Sequence, residues 1–502
     1  MTGTLESVNP STGEVVGVYV VDDAASVEAA VARARHDADW WARGTFAERR
    51  QVLDQWRRVL ARRMPELADL VHQETGKPHA DAQLEIGLAV NHLAWAAAHA
   101  GKVLGRRRVS SGLLMANHVA TVEYLPLGVV GVIGPWNYPV FTPMGSISYA
   151  LAAGNAVVFK PSELTPGVGV WLAASLCEVL PGQGLLQTVV GRRETGVALC
   201  RAPIDKVAFT GSAATGRKVM ATCAENLVPV IIEGGGKDAL LVDEDADVHL
   251  AADAAAWGAF SNAGQTCVGV ERVYVHERVY DGFVAELTRR ARDVHAGAED
   301  GAQLGPMTLA GQADVVRRHI DDAVNRGAEV LVGGPSAVGE RFVQPTVLAG
   351  VPEDSCAVTE ETFGPTVTVR RVHDMEEAVT LANASRYGLG SAVFSRSHGA
   401  DLARRLRSGM TSVNGVISFA AIPALPFGGV GDSGFGRVHG PDGLKEFTFA
   451  KSVARQWMNP ATALTTFDRT PRTDALFAGL IRVLHGRSRL SPKRPRRDRG
   501  DP

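Results

Sequence analysis

Cysteine is scarce. Five occur in 502 residues, at Cys177, Cys200, Cys223, Cys267 and Cys356, an odd number without Cys-x-x-Cys spacing, which suits neither a disulfide scaffold nor a zinc ribbon. No metal site is expected, and a reducing compartment is the natural setting. Also missing is any uninterrupted run of about 20 apolar residues, so no membrane-spanning helix is predicted. The opening Met1-Thr2-Gly3-Thr4-Leu5-Glu6 lacks the basic start and apolar run of a secretory signal, and a cytoplasmic protein is expected. Charge imbalance is absent as well: 52 Lys and Arg face 54 Asp and Glu, for a net charge of −2. No global field therefore favours nucleic acid.

What is present is an ordinary globular composition, with 45% hydrophobic and 21% charged residues, which excludes wholesale disorder. The length allows two to four domains. The 54 glycines point to tight turns or to backbone that approaches ligands closely.

From Ala24 to about Leu104 apolar residues recur at helical spacing, for example Val27, Ala30, Val31 and Ala34. Alternation and β-branched residues follow at Val119 to Tyr124. Short apolar runs then alternate with helical segments: Val129 to Ile133, Ala156 to Phe159, Gln187 to Val190, Lys206 to Phe209, Pro229 to Ile232 and Ala239 to Val242. Runs of four to six residues punctuated by Gly, Pro or Ser read as buried parallel strands in βαβ units, so Val129 to Glu233 is predicted to be a doubly wound α/β domain. The alternation resumes with a strand at Arg272 to Val275 and a helix at Tyr280 to Val294, and a second α/β domain is implied.

Three segments carry chemistry. Phe260-Ser261-Asn262-Ala263-Gly264-Gln265-Thr266-Cys267 places a cysteine after a Gly/Asn/Gln-rich turn, an exposed position where backbone N–H groups would help hold a thiolate, the reactive form. Free cysteines are mostly small buried hydrophobes, which is the reading for Cys177 and Cys223 in helical runs. Glu233 ends an apolar strand and precedes Gly234-Gly235-Gly236-Lys237; acids at the carboxyl ends of parallel strands face the usual ligand crevice. Gly134-Pro135-Trp136-Asn137-Tyr138-Pro139 closes another strand, with an amide between two prolines that stiffen the turn. An immobilised amide suits an oxyanion hole.

Together with Phe159-Lys160-Pro161-Ser162-Glu163, Phe209-Thr210-Gly211-Ser212, Glu361-Thr362-Phe363-Gly364-Pro365 and Pro426-Phe427-Gly428-Gly429, these segments resemble the aldehyde dehydrogenase superfamily, in its order. The resemblance covers about Asn9 to Lys451. It implies an α/β fold of two doubly wound domains with a small β oligomerisation segment. Expected boundaries are 1–234 for an NAD-binding domain, with the 119–128 hairpin belonging to the oligomerisation segment, 235–435 for a catalytic domain, 436–455 for a closing strand and 456–502 for a tail. It also implies oxidation of an aldehyde to a carboxylic acid with NAD, NADP being the alternative, by a homodimer or homotetramer. In the implied chemistry Cys267 is the nucleophile, Asn137 holds the oxyanion and Glu233 activates water. Trp136, Lys160, Glu163, Ser212, Glu361 and Phe363 are implied to bind the cofactor: Lys160 and Glu163 at the adenosine ribose, Ser212 opening a helix toward the pyrophosphate, Glu361 at the nicotinamide ribose and Phe363 against its ring.

Departures bear on detail. Gly234 stands where the family usually has a bulky residue, which would loosen the backbone beside the base. A literal Gly-x-Gly-x-x-Gly at Gly429, Gly431 and Gly434 follows no strand and is rejected as a dinucleotide fingerprint. A CoA-acylating relative would lack the base, and a non-catalytic relative would lack the nucleophile.

Phe260 to Glu271 and Gly436-Arg437-Val438-His439-Gly440 resemble succinate-semialdehyde dehydrogenases, which keeps that substrate as an alternative. Gly145, however, stands where such enzymes carry arginine, and Val140 to Leu151 holds no Lys or Arg. Val416, Ile417, Phe419, Ile422 and Leu425 would give an apolar entrance, so an apolar or aromatic aldehyde is expected.

The tail lies outside the resemblance. Leu476, Phe477, Leu480, Ile481 and Leu484 fall on one helical face within Asp474 to Leu484, and Arg482 to Pro502 carries a net charge of +6, leaving −8 on the rest. Packing on the protein's own surface and peripheral membrane contact both fit this pattern.

Overall fold

The apolar periodicity near the amino terminus resolves into four helices, Ala24–Arg43, Phe46–Arg62, Met64–Thr75 and His79–Leu104. Asp23 caps the first by accepting from Ser26 N, and Thr45 with Glu48 forms a capping box on the second, so the polar residues between apolar stretches act as start signals. A hairpin of Thr4–Val8 and Val15–Val20 precedes them; the second strand is apolar in sequence yet buries none of its residues. The computed structural model describes residues 3–299, 301–459 and 464–486.

Two sheets follow. The first has six strands in the order Gly434–Phe435, Val230–Glu233, Lys206–Thr210, Val129–Ile133, Ala156–Lys160 and Leu186–Thr188, all parallel except the first. Strand order reverses between Val129–Ile133 and Lys206–Thr210, which places a ligand crevice at their carboxyl ends. The second has seven, in the order Glu329–Val332, Thr346–Ala349, Thr366–Val372, Val270–His276, Asp238–Val242, Ser391–Phe394 and Ser412–Val413, antiparallel only at the Glu329–Val332 edge. The chain crosses from the first sheet to the second between Glu233 and Asp238, then returns at Gly434 to pair with Glu233. The α/β class expected from the punctuated apolar runs is the observed one, with strand ends differing by one or two residues.

The fold divides into two units, residues 1–105 with 124–450, and residues 106–123 with 451–502. Both large sheets lie in the first. The second is organised on a three-stranded sheet in which His118–Pro126 is central, between Arg107–Val109 and Thr448–Gln456. The closing segment is not all strand, because a helix, Gly440–Glu446, precedes Thr448–Gln456. Beyond it the helix expected at Asp474 to Leu484 runs Pro471–His485, capped by Thr470, and buries none of its residues. The basic run Arg487 to Arg499 lies outside the described residues. Among the described residues no helix is long and apolar enough to cross a membrane.

Candidate active site

Glu233 is the last residue of its strand, and its buried carboxyl accepts a hydrogen bond from Thr210 Oγ1 at 3.1 Å, across the neighbouring strand. Burial pushes it up to about 7, against the pull of Thr210 and of the Arg437 guanidinium. Oε1 has no hydrogen-bond partner. Gly234 does not loosen this backbone: its N–H donates to Ser433 O at 2.9 Å, and a Cβ there would stand 2.7 Å from Asp432 O. Glycine is needed because the returning Gly434–Phe435 strand lies against it, and Gly434 itself, at φ +100°, leaves no room for a Cβ over Ile232 O.

Cys267 follows a short helical turn, Ser261–Gly264, in which Asn262 and Ala263 take left-handed φ of 54°. It is half-buried rather than exposed as expected, and its surroundings disfavour the thiolate. Burial, with Glu233, Glu361 and Asp238 beside it, pushes the thiol well above the usual range, and only the Val268 N–H opposes this. Cys177, expected to be buried, is exposed at the end of its helix, while Cys223 is buried as expected.

The Asn137 loop is stitched to the cysteine loop. Asn137 Nδ2 donates to Gln265 O at 2.9 Å, Asn262 Nδ2 donates to Asn137 O at 3.1 Å, and Tyr138 Oη and Thr266 Oγ1 share a hydrogen bond at 3.0 Å. An amide carries two N–H donors, so one Asn137 hydrogen remains for a ligand. Two residues that sequence reasoning missed support this loop. Lys77 Nζ pairs with Glu85 and donates to Asn137 O at 2.8 Å, and Glu85 Oε1 accepts from Val140 N at 2.7 Å and Phe141 N at 3.1 Å. Both side chains are fully buried. Helical periodicity alone gives no signal for such a pair; a charged residue on an apolar helix face, as Glu85 is, was the available hint.

Cys267, Glu233, Tyr138, Phe141, Trp257, Ile417, Phe427, Val438 and His439 line one narrow cavity of about 90 Å³. Among the described lining residues there is no lysine or arginine; Asp81, Glu85 and Glu233 are the charged ones.

The other expected site residues gather in two groups. Buried Lys160 lies 3.9 Å from Glu163, and Ser212, exposed, caps the helix Ala213–Ala224 by accepting from Thr215 N. These stand at the carboxyl ends of the first sheet's strands, where a helix N-terminus suits a phosphate. Nearer Cys267, Trp136 and Phe363 meet edge to face at 5.6 Å. Glu361 Oε1 accepts from Gly236 N at 3.0 Å, and its carboxyl occupies the space a Cβ on Gly235 would fill. Burial and the nearby Glu271 raise it to about 8. Glu271 in turn accepts from Thr362 N and Phe363 N and pairs with buried Lys237, fixing the loop that presents Glu361 and Phe363. This series of a Lys160–Glu163 pair, a helix N-terminus, the Glu361 carboxyl and two rings fits a dinucleotide.

The aldehyde dehydrogenase family model matches residues 1–453. The chain is 37% identical over 473 residues to a 4,4'-diapolycopene aldehyde oxidase of Methylomonas sp, covering 93% of this chain and 87% of that protein. Among solved structures, an NAD-dependent aldehyde dehydrogenase from Sinorhizobium meliloti superposes with TM-score 0.87 at 34% identity, over 92% of this chain and 93% of the other. A succinate-semialdehyde dehydrogenase from Burkholderia pseudomallei gives 0.85 at 34%, over 90% and 95%.

Proposed function

This chain belongs to the aldehyde dehydrogenase family, and from that premise we propose that it acts on a neutral, apolar or aromatic aldehyde. Family membership makes it an NAD(P)-dependent enzyme that oxidises an aldehyde to a carboxylic acid. The observation that carries the substrate reading is the cavity at Cys267, which has no cationic residue among those described and has Asp81 and Glu233 in its wall, Glu85 being paired with Lys77. A substrate carboxylate there would be desolvated without a partner, beside like charge. A second reading, succinate semialdehyde, is raised by the solved semialdehyde dehydrogenase this chain resembles; the same cavity weighs against it. Comparing kcat/KM for a linear alkanal and an ω-carboxylated aldehyde of equal length tests the choice. The neutral compound should lead by tenfold or more, and a lead for the carboxylated one would overturn the reading.

In the mechanism that follows, Cys267 Sγ bonds to the aldehyde carbon, and its proton passes to a base. That base is solvent water, so Glu233, with a carboxyl near 7, stays free for the later step. The oxyanion is held by the free N–H of Asn137 and the backbone N–H of Cys267. A nicotinamide held beside Trp136 and Phe363 would supply the hydride acceptor that the oxidation requires. Glu233 then draws a proton from water as it attacks the thioester, and the acid leaves as Cys267 regains its thiol. Trp136, Lys160, Glu163, Ser212, Glu361 and Phe363 would hold the dinucleotide along the crevice.

The crossing between sheets at Glu233 to Asp238 supports a cofactor domain over 1–234 and a catalytic domain over 235–435. Assembly as a homodimer or homotetramer is supported by the exposed strands Arg107–Val109 and Thr448–Gln456 at the two edges of the three-stranded sheet, since edge strands favour pairing; sedimentation showing a monomer at micromolar concentration would count against it. Five free cysteines, Cys267 among them, support a reducing, cytoplasmic setting. The unburied apolar face of Pro471–His485, followed by the basic run, supports peripheral contact with an anionic membrane surface.

A further inference from the structure

His439 stands against the fold's own preferences. Its backbone is left-handed, at φ +62°, a region that favours glycine. Its ring is buried, and Nδ1 has no hydrogen-bond partner. Burial and the adjoining His92 imidazole keep it neutral. Strain and an unsatisfied buried polar atom persist where something other than stability retains them.

The ring sits in an aromatic nest, with centroids 3.9 Å from His92, 5.4 Å from Phe427 and 5.7 Å from both Phe141 and Tyr149. Tyr149 locks the surrounding backbone: its hydroxyl donates to Pro423 O at 3.0 Å and accepts from Gly440 N at 3.3 Å. On one side, a Cβ built on Gly145 would stand 2.6 Å from His439 Nε2. The ring thus fills the space a side chain at 145 would take. On another side it forms wall of the cavity that holds Cys267, beside Phe141 and Phe427.

We propose that His439 gauges the girth of aldehyde that reaches Cys267, with Gly145 kept small so that the ring can lie there. An unbranched or planar neutral chain passes; a bulky one is turned away. This deepens the neutral-aldehyde reading and rests on it for the substrate's charge, not for its shape.

The test is the ratio of kcat/KM for a bulky, non-planar aldehyde, diphenylacetaldehyde, to that for a linear alkanal, measured in wild type, His439→Ala and His439→Asn. Asparagine tolerates left-handed backbone, so that variant remains informative if alanine fails to fold. Removing ring volume should raise the ratio tenfold or more, the scale on which apolar pockets discriminate. Gly145→Ala should push the ring into the cavity and lower kcat/KM for the alkanal, and His439→Ala in the same chain should restore it, because touching residues couple. A ratio within twofold of wild type in both His439 variants would overturn the proposal. A wild type that prefers an ω-carboxylated aldehyde would instead overturn the charge reading alone.

Discussion

Thr210 Oγ1 donates to Glu233 Oε2 at 3.1 Å, joining adjacent strands at their carboxyl ends. The bond favours the ionised carboxylate and opposes the burial that raises it to about 7. Thr210→Val removes the donor, so the carboxyl should rise further. Since the ionised form activates water, the acidic limb of the kcat profile should move to higher pH by about one unit, the scale of a single hydrogen bond to a charge. In Glu233→Gln, a burst of reduced cofactor should persist while turnover falls about 10²-fold or more. Turnover at the wild-type rate would remove Glu233 from the mechanism.

The Lys77–Glu85 pair makes a second prediction. Glu85→Gln leaves the Lys77 ammonium buried without its counter-charge, a loss of roughly 3–5 kcal/mol in stability, and Tm should drop. Lys77→Met in the same chain removes the stranded charge and should recover most of the Tm. Its kcat should stay below wild type, because Asn137 O then lacks the Lys77 donor. Recovery of both together would mean that the pair serves stability alone.

Much of this was legible in the sequence, for identifiable reasons. The strands around Glu233 are buried on both faces, so they read as apolar runs ended by glycine or proline; Asn137 follows such an ending and Glu233 stands at one, whereas Cys267 was marked by the Gly/Asn/Gln-rich turn after a helix. The place of the hairpin Thr4–Val8 with Val15–Val20 was not legible, since its second strand is apolar in sequence yet has no buried residue and pairs outside the two large sheets. Nor was the support beneath Asn137: Lys77 looks like a surface lysine until the chain brings Glu85 to it. The ionisation of Cys267 was misread for a related reason. A Gly- and Asn-rich turn signals available N–H groups, whereas the burial that chiefly raises the thiol, and the charges of Glu233, Glu361 and Asp238 that add to it, come from other strands and loops.

Cofactor preference is expected to follow Glu163. Its carboxylate lies 3.9 Å from Lys160 Nζ, arranged to take the two hydroxyls of a ribose. A 2′-phosphate would meet like charge there, so NAD should have the higher specificity constant. Glu163→Gln should narrow the gap by weakening NAD and easing NADP. Equal specificity constants for the two cofactors in the wild type would sink the assignment.

The tail gives the last prediction. Pro471–His485 begins with a proline and a Thr470 cap, so its helix is locally encoded. Yet Leu476 is 62% exposed and Val483 71%, and Phe477, Leu480 and Leu484 share that open face. Fifteen residues cannot span a bilayer, but an apolar face of this length can lie at an interface. Such burial is marginal by itself; each basic residue near anionic lipid adds roughly 1 kcal/mol, and Arg487 to Arg499 follows directly in sequence. The full chain should therefore co-sediment with anionic vesicles at low salt and release at high salt. Deleting residues 470–502 should abolish binding and leave oxidation of a water-soluble aldehyde intact. An equal bound fraction with and without the tail at low salt would rule out the membrane role and favour a protein surface as the helix's partner.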